Sequence, residues 1–183
     1  MKTNRLFLIL GVFGFLFFNL NPIVIAADPN LKDYNVVVVE NLEIQTGSPA
    51  PESAGLLMAE KAVYQIQRYS EKYKLFDMVV KEGSKSSKEI SSDKRILMIR
   101  GEVKEYTKES TGRRIGRSFI PGGGYTGTAV FAAHYQLIDK ESGNVLYETD
   151  LRSLSTGTND TVEYAMERNG EALAKVLTKF KGK

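Results

Sequence analysis

A chain of 183 residues that is 42% hydrophobic and 26% charged has the material for one globular domain with a buried core. It contains no cysteine, which excludes disulfides, thiolate metal sites, a cysteine nucleophile and a lipid-bearing N-terminal cysteine; a single histidine leaves little for zinc. The formal charge is only +3, and Lys2 and Arg5 fall in a segment read below as removed, so no nucleic-acid partner is expected.

Lys2 and Arg5 precede an apolar run, Leu6 to Phe18, and the small residues Val24, Ala26 and Ala27 follow. This is the layout of a secretory signal peptide. The run is shorter than the roughly 18 to 20 residues of a spanning helix. Residues 1–27 are therefore read as a leader cleaved after Ala26 or Ala27, and residues 28–183 as a single domain, periplasmic or secreted.

After a polar leader, Tyr34 to Glu40 holds four consecutive valines, Val36 to Val39, which suit a central strand covered on both faces. Thr46 to Pro51 is a loop, and Ser53 is placed to cap the helix after it. That helix carries Leu56, Ala59, Ala62, Val63, Ile66, Tyr69 and Tyr73 as one apolar stripe, with Glu60, Lys61, Gln65, Arg68 and Lys72 elsewhere around it. Leu75 to Val80 reads as a short strand, Lys81 to Lys94 as a mobile surface loop, and Arg95 to Thr107 as a long strand.

Arg113 to Tyr125 is basic and glycine-rich. From Thr128 the pattern changes to strict alternation, with Ala129, Phe131, Ala133, Tyr135 and Leu137 on the apolar face. After Lys140 to Asn144 it resumes, with Val145, Tyr147, Thr149 and Leu151 opposite Glu148, Asp150 and Arg152, as in an antiparallel hairpin. In the turn, Asp139 can accept backbone amides and Gly143 can take a positive φ. Asp160 with Glu163 has capping-box spacing and opens a helix with the stripe Val162, Ala165, Met166, Leu173, Val176, Leu177 and Phe180; Asn169 and Gly170 weaken its middle. Asn159, Asp160 and Thr161 also spell a glycosylation sequon, but the cap is preferred.

The fold class that follows is α+β: a mostly antiparallel sheet of about five strands with two amphipathic helices, in the order β-α-β-β-β-β-α. Gly122, Gly124 and Gly127 match the glycine pattern of a dinucleotide site, but a strand follows where a helix is required, so no cofactor is expected. His134 lies on the face opposite the apolar one, with no pattern that marks a nucleophile beside it, and is read as structural or exposed. Arg113, Arg114 and Arg117 can grip carboxylates, phosphates or anionic headgroups, and Phe119 and Tyr125 add apolar surface. These five residues form the candidate contact loop.

Arg117, Gly122 to Gly124, Gly127, Ala129, the strand ending Leu137, Ile138, Asp139, and then Ser142, Gly143, Val145 and Leu146 resemble a bacterial envelope family, domain of unknown function 4410. That family shows an Arg and Gly-rich run, a strand ending in Asp, a Thr-Gly or Ser-Gly turn and a closing helix. The match spans roughly Tyr34 to Lys179. More distantly the element order is similar to the CsgG, PelC and TolB N-terminal type of domain. The resemblance implies an envelope accessory or assembly role, often in oligomers. The cysteine that carries lipid in such relatives is absent here, as is a long apolar insertion for a membrane barrel, so neither a lipid anchor nor a pore is expected.

The reading is an exported, non-catalytic binding or assembly module that contacts an envelope protein, a second copy of itself or a membrane surface. Two alternatives stay open: a hydrolase of an envelope polymer, which needs two carboxylates in a cleft, and a small-ligand carrier, which needs a deep apolar pocket under the glycine loop.

Overall fold

A computed structural model describes residues 28–110, 112, 115 and 126–183. The expected leader, residues 1–27, lies outside them. The described elements are β1 (Val36–Val39), β2 (Glu43–Ile44), α1 (Ser53–Tyr73), β3 (Met78–Lys81), α2 (Lys85–Lys88), β4 (Ile96–Thr107), β5 (Thr126–Asp139), β6 (Val145–Thr156) and α3 (Val162–Phe180). They form an α+β architecture around one sheet in the order β3-β1-β4-β5-β6, with β2 beside β4.

The sheet is parallel on one side, where β1 pairs with β3 and β4, and antiparallel on the other, where β4, β5 and β6 carry the longer ladders. α1 follows β1 and returns the chain to a parallel neighbour, as a crossover must. α1 and α3 lie on one face, where Ala129, Phe131, Ala133, Tyr135 and Leu137 are buried as the alternation requires. Val145 is the exception in the hairpin: a bulge between Leu137 and Ile138 shifts the register, so Val145 is 47% exposed while Leu146 packs on the core.

The valines of β1 are buried on both faces, the expected mark of a central strand. What covers the second face was unforeseen. Ile90, from the stretch expected to be a mobile loop, packs with Ile96 on Val36, Val38 and Val80, and Ser84 caps the short α2 within that stretch by accepting from the Ser87 amide. β3 begins at Met78 rather than Leu75, because Lys74 takes a left-handed conformation (φ 56°) that closes α1, and Leu75 and Phe76 turn into the core.

Ser53 does not cap α1; Glu52 holds that position without a side-chain bond, and the Ala54 amide bonds the Pro51 carbonyl. The buried stripe is also rotated from the expected one. Gln65 is buried and Leu56 is 39% exposed, since Ala54 and Gly55 press the first turn against the Leu42 backbone, where the Gly55 carbonyl accepts from the Leu42 amide at 3.3 Å. Asn169 and Gly170 are not a weak point of α3. A Cβ on Gly170 would stand 3.1 Å from the Lys61 carbonyl oxygen, so glycine sets the closeness of α1 to α3. Asn169 is fully buried, accepts from the Tyr135 hydroxyl at 2.7 Å and donates to the Leu151 carbonyl at 2.9 Å.

Candidate functional site

The candidate contact residues Arg113, Arg114, Arg117, Phe119 and Tyr125 lie outside the described residues. Ile115, which is described between them, is 56% exposed. The structure does show how this stretch is held where it leaves β4 and enters β5. The Ser110 amide donates to Thr128 Oγ1 at 2.8 Å, and Thr128 Oγ1 donates to Asp160 Oδ2 at 2.9 Å. Asp160 Oδ1 accepts from the amides of Thr128 and Ala129 and from Ser155 Oγ, at 2.5, 3.0 and 2.6 Å.

Asp160 is thus a cross-link between β5, β6 and a helix start, with the chain after β4 joined to it through Thr128, and not the expected cap; Thr161 caps α3 by accepting from the Tyr164 amide. Glycine is required at 127 by that cross-link, since a Cβ there would fall 2.0 Å from Ser155 Oγ and 2.7 Å from Asp160 Oδ1. Burial opposes ionisation of Asp160, but the Ser155 hydroxyl, the two amides and the Thr128 hydroxyl outweigh it and hold its pKa at about 2.

At the other end of β5, Asp139 behaves as read from sequence. Its Oδ1 accepts from the Glu141 and Ser142 amides at 2.9 and 3.0 Å, and Gly143 has φ 71°. Its Oδ2 also takes the Tyr34 hydroxyl at 2.6 Å and Arg95 Nη2 at 2.9 Å, partners from two other strand entries that no local pattern signals. The Tyr34 hydroxyl first, with the Ser142 amide and Arg95, keeps this buried carboxyl well below the usual carboxylate range. Burial and then the Asp139 carboxylate push Tyr34 up to about 12.

The sheet face away from α1 and α3 carries polar side chains across β4, β5 and β6. His134 sits there, with Nδ1 3.0 Å from Asp150 Oδ1. The orienting carboxylate that sequence reasoning did not find is a cross-strand neighbour, legible only once the hairpin register is known: His134 is directly opposite Asp150. Among the described residues no group of three or more His, Asp or Glu side chains is arranged to hold a metal ion. A groove of about 690 Å³ runs along edge strand β3 and the end of α1, lined by Gln67, Ser70, Lys74, Asp77 and Met78 among others. Its lining is largely polar and comes from β3 and α1, so it is not the deep apolar pocket that a carrier site under the glycine loop would need.

No protein-family model matches the chain, and no curated protein matches it. The resemblance to domain of unknown function 4410 therefore has no family-level support. Solved structures do match. A PelC dodecamer from Paraburkholderia phytofirmans, in a point-variant form, is 15% identical, with 82% of this chain and 94% of that chain covered at a TM-score of 0.54. A second PelC dodecamer from the same organism gives 16% identity, 85% and 93% coverage and a TM-score of 0.52. A Xanthomonas campestris protein described by the family model DUF330 is 12% identical, with 85% and 89% covered and a TM-score of 0.48. At these identities the likeness is one of architecture, and the chain has the fold seen in PelC.

Proposed function

We propose that this chain is an exported, non-catalytic assembly module of the bacterial envelope, which uses Arg113, Arg114, Arg117, Phe119 and Tyr125 as a contact surface and associates with itself or with an envelope protein. The observation that carries this reading is the anchoring of the segment. Both of its ends are tied through Thr128 to Asp160 and the buried Ser155, so the chain invests a buried polar network in fixing where a basic, apolar-dotted stretch emerges. A merely flexible connection has no need of such an anchor. Ile115 adds an exposed apolar side chain among the arginines. The PelC structures of this fold are dodecamers, which supports self-association as the form the contact takes.

The test is light scattering and envelope pull-down of the mature protein beside a variant with Arg113, Arg114, Arg117 and Phe119 all changed to Ala, at low and high salt. Association should be lost in the variant with the melting temperature kept; unchanged assembly and partners would reject the reading. Intact mass of the exported protein should show a chain beginning at Ala27 or Asp28.

A further inference from the structure

The sheet ends at β3, and the ladder fixes which of its backbone groups face outward. Met78 and Glu82 donate their amides to the Asn35 and Val39 carbonyls on the β1 side, at 3.4 and 2.9 Å. β3 pairs with β1 in parallel without a register shift, so the amides and carbonyls of Val79 and Lys81 turn to the free edge. The chain caps both carbonyls itself: Gln67 Nε2 donates to Val79 at 2.8 Å, and the Ser84 amide donates to Lys81 at 3.3 Å. The two outward amides have no partner among the described residues. The groove of about 690 Å³ beside β3 follows this edge and is walled from both sides of the sheet, by Val79 and the flank of α1 on one side and by Val80 and Ser86 of α2 on the other. Ser70, one turn along α1 from Gln67, lines it; this residue is 7% exposed, and its hydroxyl has no hydrogen-bond partner among the described residues. Unmet polar groups cost stability, so a groove bordered by two main-chain donors and a buried hydroxyl is one that a ligand rich in acceptors relieves.

We propose that this groove is a strand-addition site, which takes an extended segment of another polypeptide alongside β3. The site is separate from the Arg113 to Tyr125 surface and does not rest on it. The free amides decide the class of ligand. They lie two residues apart, about 6.6 Å along the strand, and an extended peptide presents carbonyls on one side at that same interval. Gln67 already does for the Val79 carbonyl what the amide of an added strand would do, so the incoming segment need supply only acceptors. Its side chains alternate between the two walls of the groove, and the residue that passes Ser70 offers a polar atom to the unpartnered hydroxyl. With four residues, β3 fits a short motif rather than a long strand. A second copy is the poorer occupant: β3 laid on β3 brings capped carbonyls to the free amides, and at the other edge, on β6, the Leu154 carbonyl is held by Arg168 at 3.0 Å.

Selection of random octapeptides displayed on phage against the mature protein supplies the probe, with the enriched sequences made as free peptides. Amide hydrogen exchange at Val79 and Lys81, fast in the free protein, should slow at least about tenfold when such a peptide is bound. Val80 and Glu82, whose amides are held in the ladder, should change little. Lys81→Pro removes one outward amide without touching the β1 ladder, as an edge strand tolerates, and should weaken binding at least about tenfold. Lys81→Ala keeps the amide and should bind like the wild type. Ser70→Ala should weaken binding about fivefold and melt no lower than the wild type, because it deletes a hydroxyl without a partner. The variant with Ala at Arg113, Arg114, Arg117 and Phe119 should bind the peptides as the wild type does, so failure of the contact loop and failure of this site are read separately. If no peptide is enriched, or if the peptides bind Lys81→Pro as well as the wild type, the proposal is overturned. Protection of Val79 and Lys81 on self-association of the protein alone, lost in Lys81→Pro, would make the occupant a second copy and overturn it too. Where Lys81→Pro melts below the wild type, exchange in the wild type decides: a bound peptide that leaves Val79 and Lys81 unprotected overturns the site.

Discussion

The two ends of β5 are each held by one aspartate, but by different partners. Asp139 faces a tight turn, and its Glu141 and Ser142 amides belong to exposed residues that water can reach when the carboxylate is gone. Asp160 gathers donors from the fully buried Thr128 and Ala129 and the nearly buried Ser155; the Ala129 amide and Ser155 hydroxyl also bond each other's residue, but the Thr128 amide and hydroxyl have no exit to water. A carboxylate's worth to the fold therefore depends less on how many bonds it accepts than on whether its donors could find water instead. The turn end is a local device of hairpin geometry. The other end is a long-range knot, and from it the proposed contact segment departs.

Removing the knot is expected to cost most. Asp160→Ala strands the buried Thr128 amide and hydroxyl, and should destabilise the protein by about 3 to 4 kcal/mol in urea denaturation. Asp139→Ala leaves only the Tyr34 hydroxyl and Arg95 short of a partner inside the fold, and Arg95 is partly exposed, so about 2 kcal/mol is expected. Equal costs at the two ends would break the distinction between water-reachable and buried donors.

Acid sharpens it further. Both carboxyls have pKa values below the ordinary range, Asp160 at about 2. A group whose folded pKa is depressed gives stability that is present above its unfolded value, about 3.9, and lost as pH falls through the folded value. The wild type should therefore lose melting temperature steeply as pH falls below about 4. Asp139→Asn and Asp160→Asn should each start lower at neutral pH and fall less steeply in acid; curves parallel to the wild type would show that these carboxyls are not the titrating groups.

Asp139 was legible in the sequence because everything its Oδ1 does is local: the acid, the exposed residues after it and a glycine lie within five positions. The alternating face of β5 was legible for the same reason, since period-2 burial is written along one strand. Asp160 was misread as a cap because its spacing to Glu163 fits a capping box, while its actual donors lie on β5, about thirty residues back, and at Ser155 on β6. Asn169 and Gly170 were read as helix weaknesses by propensity alone; tertiary packing overrode it, with the glycine admitting α1 and the amide bonding Tyr135 and β6. Ile90 was lost in a serine-rich stretch, where one apolar residue has no periodicity to announce it. The pairing of His134 with Asp150 could not be seen at all without the register of the hairpin.

The smallest effect is expected just beyond the knot. Arg113 belongs to a polar, glycine-rich stretch, and a single charge on such a stretch contributes little to folding, so Arg113→Ala should change stability by no more than about 0.5 kcal/mol. Its cost should appear in association instead, as a weaker dependence of assembly on salt, because one screened guanidinium contact per copy has been removed. Comparing the variant with Asp160→Ala separates the two roles that meet here: the aspartate variant should lose stability first and assembly as a consequence, while the arginine variant should lose assembly with the melting curve unmoved. A drop of about 2 kcal/mol or more in Arg113→Ala would mean that this arginine packs into the fold, and it would remove the ground for treating the stretch as a contact surface.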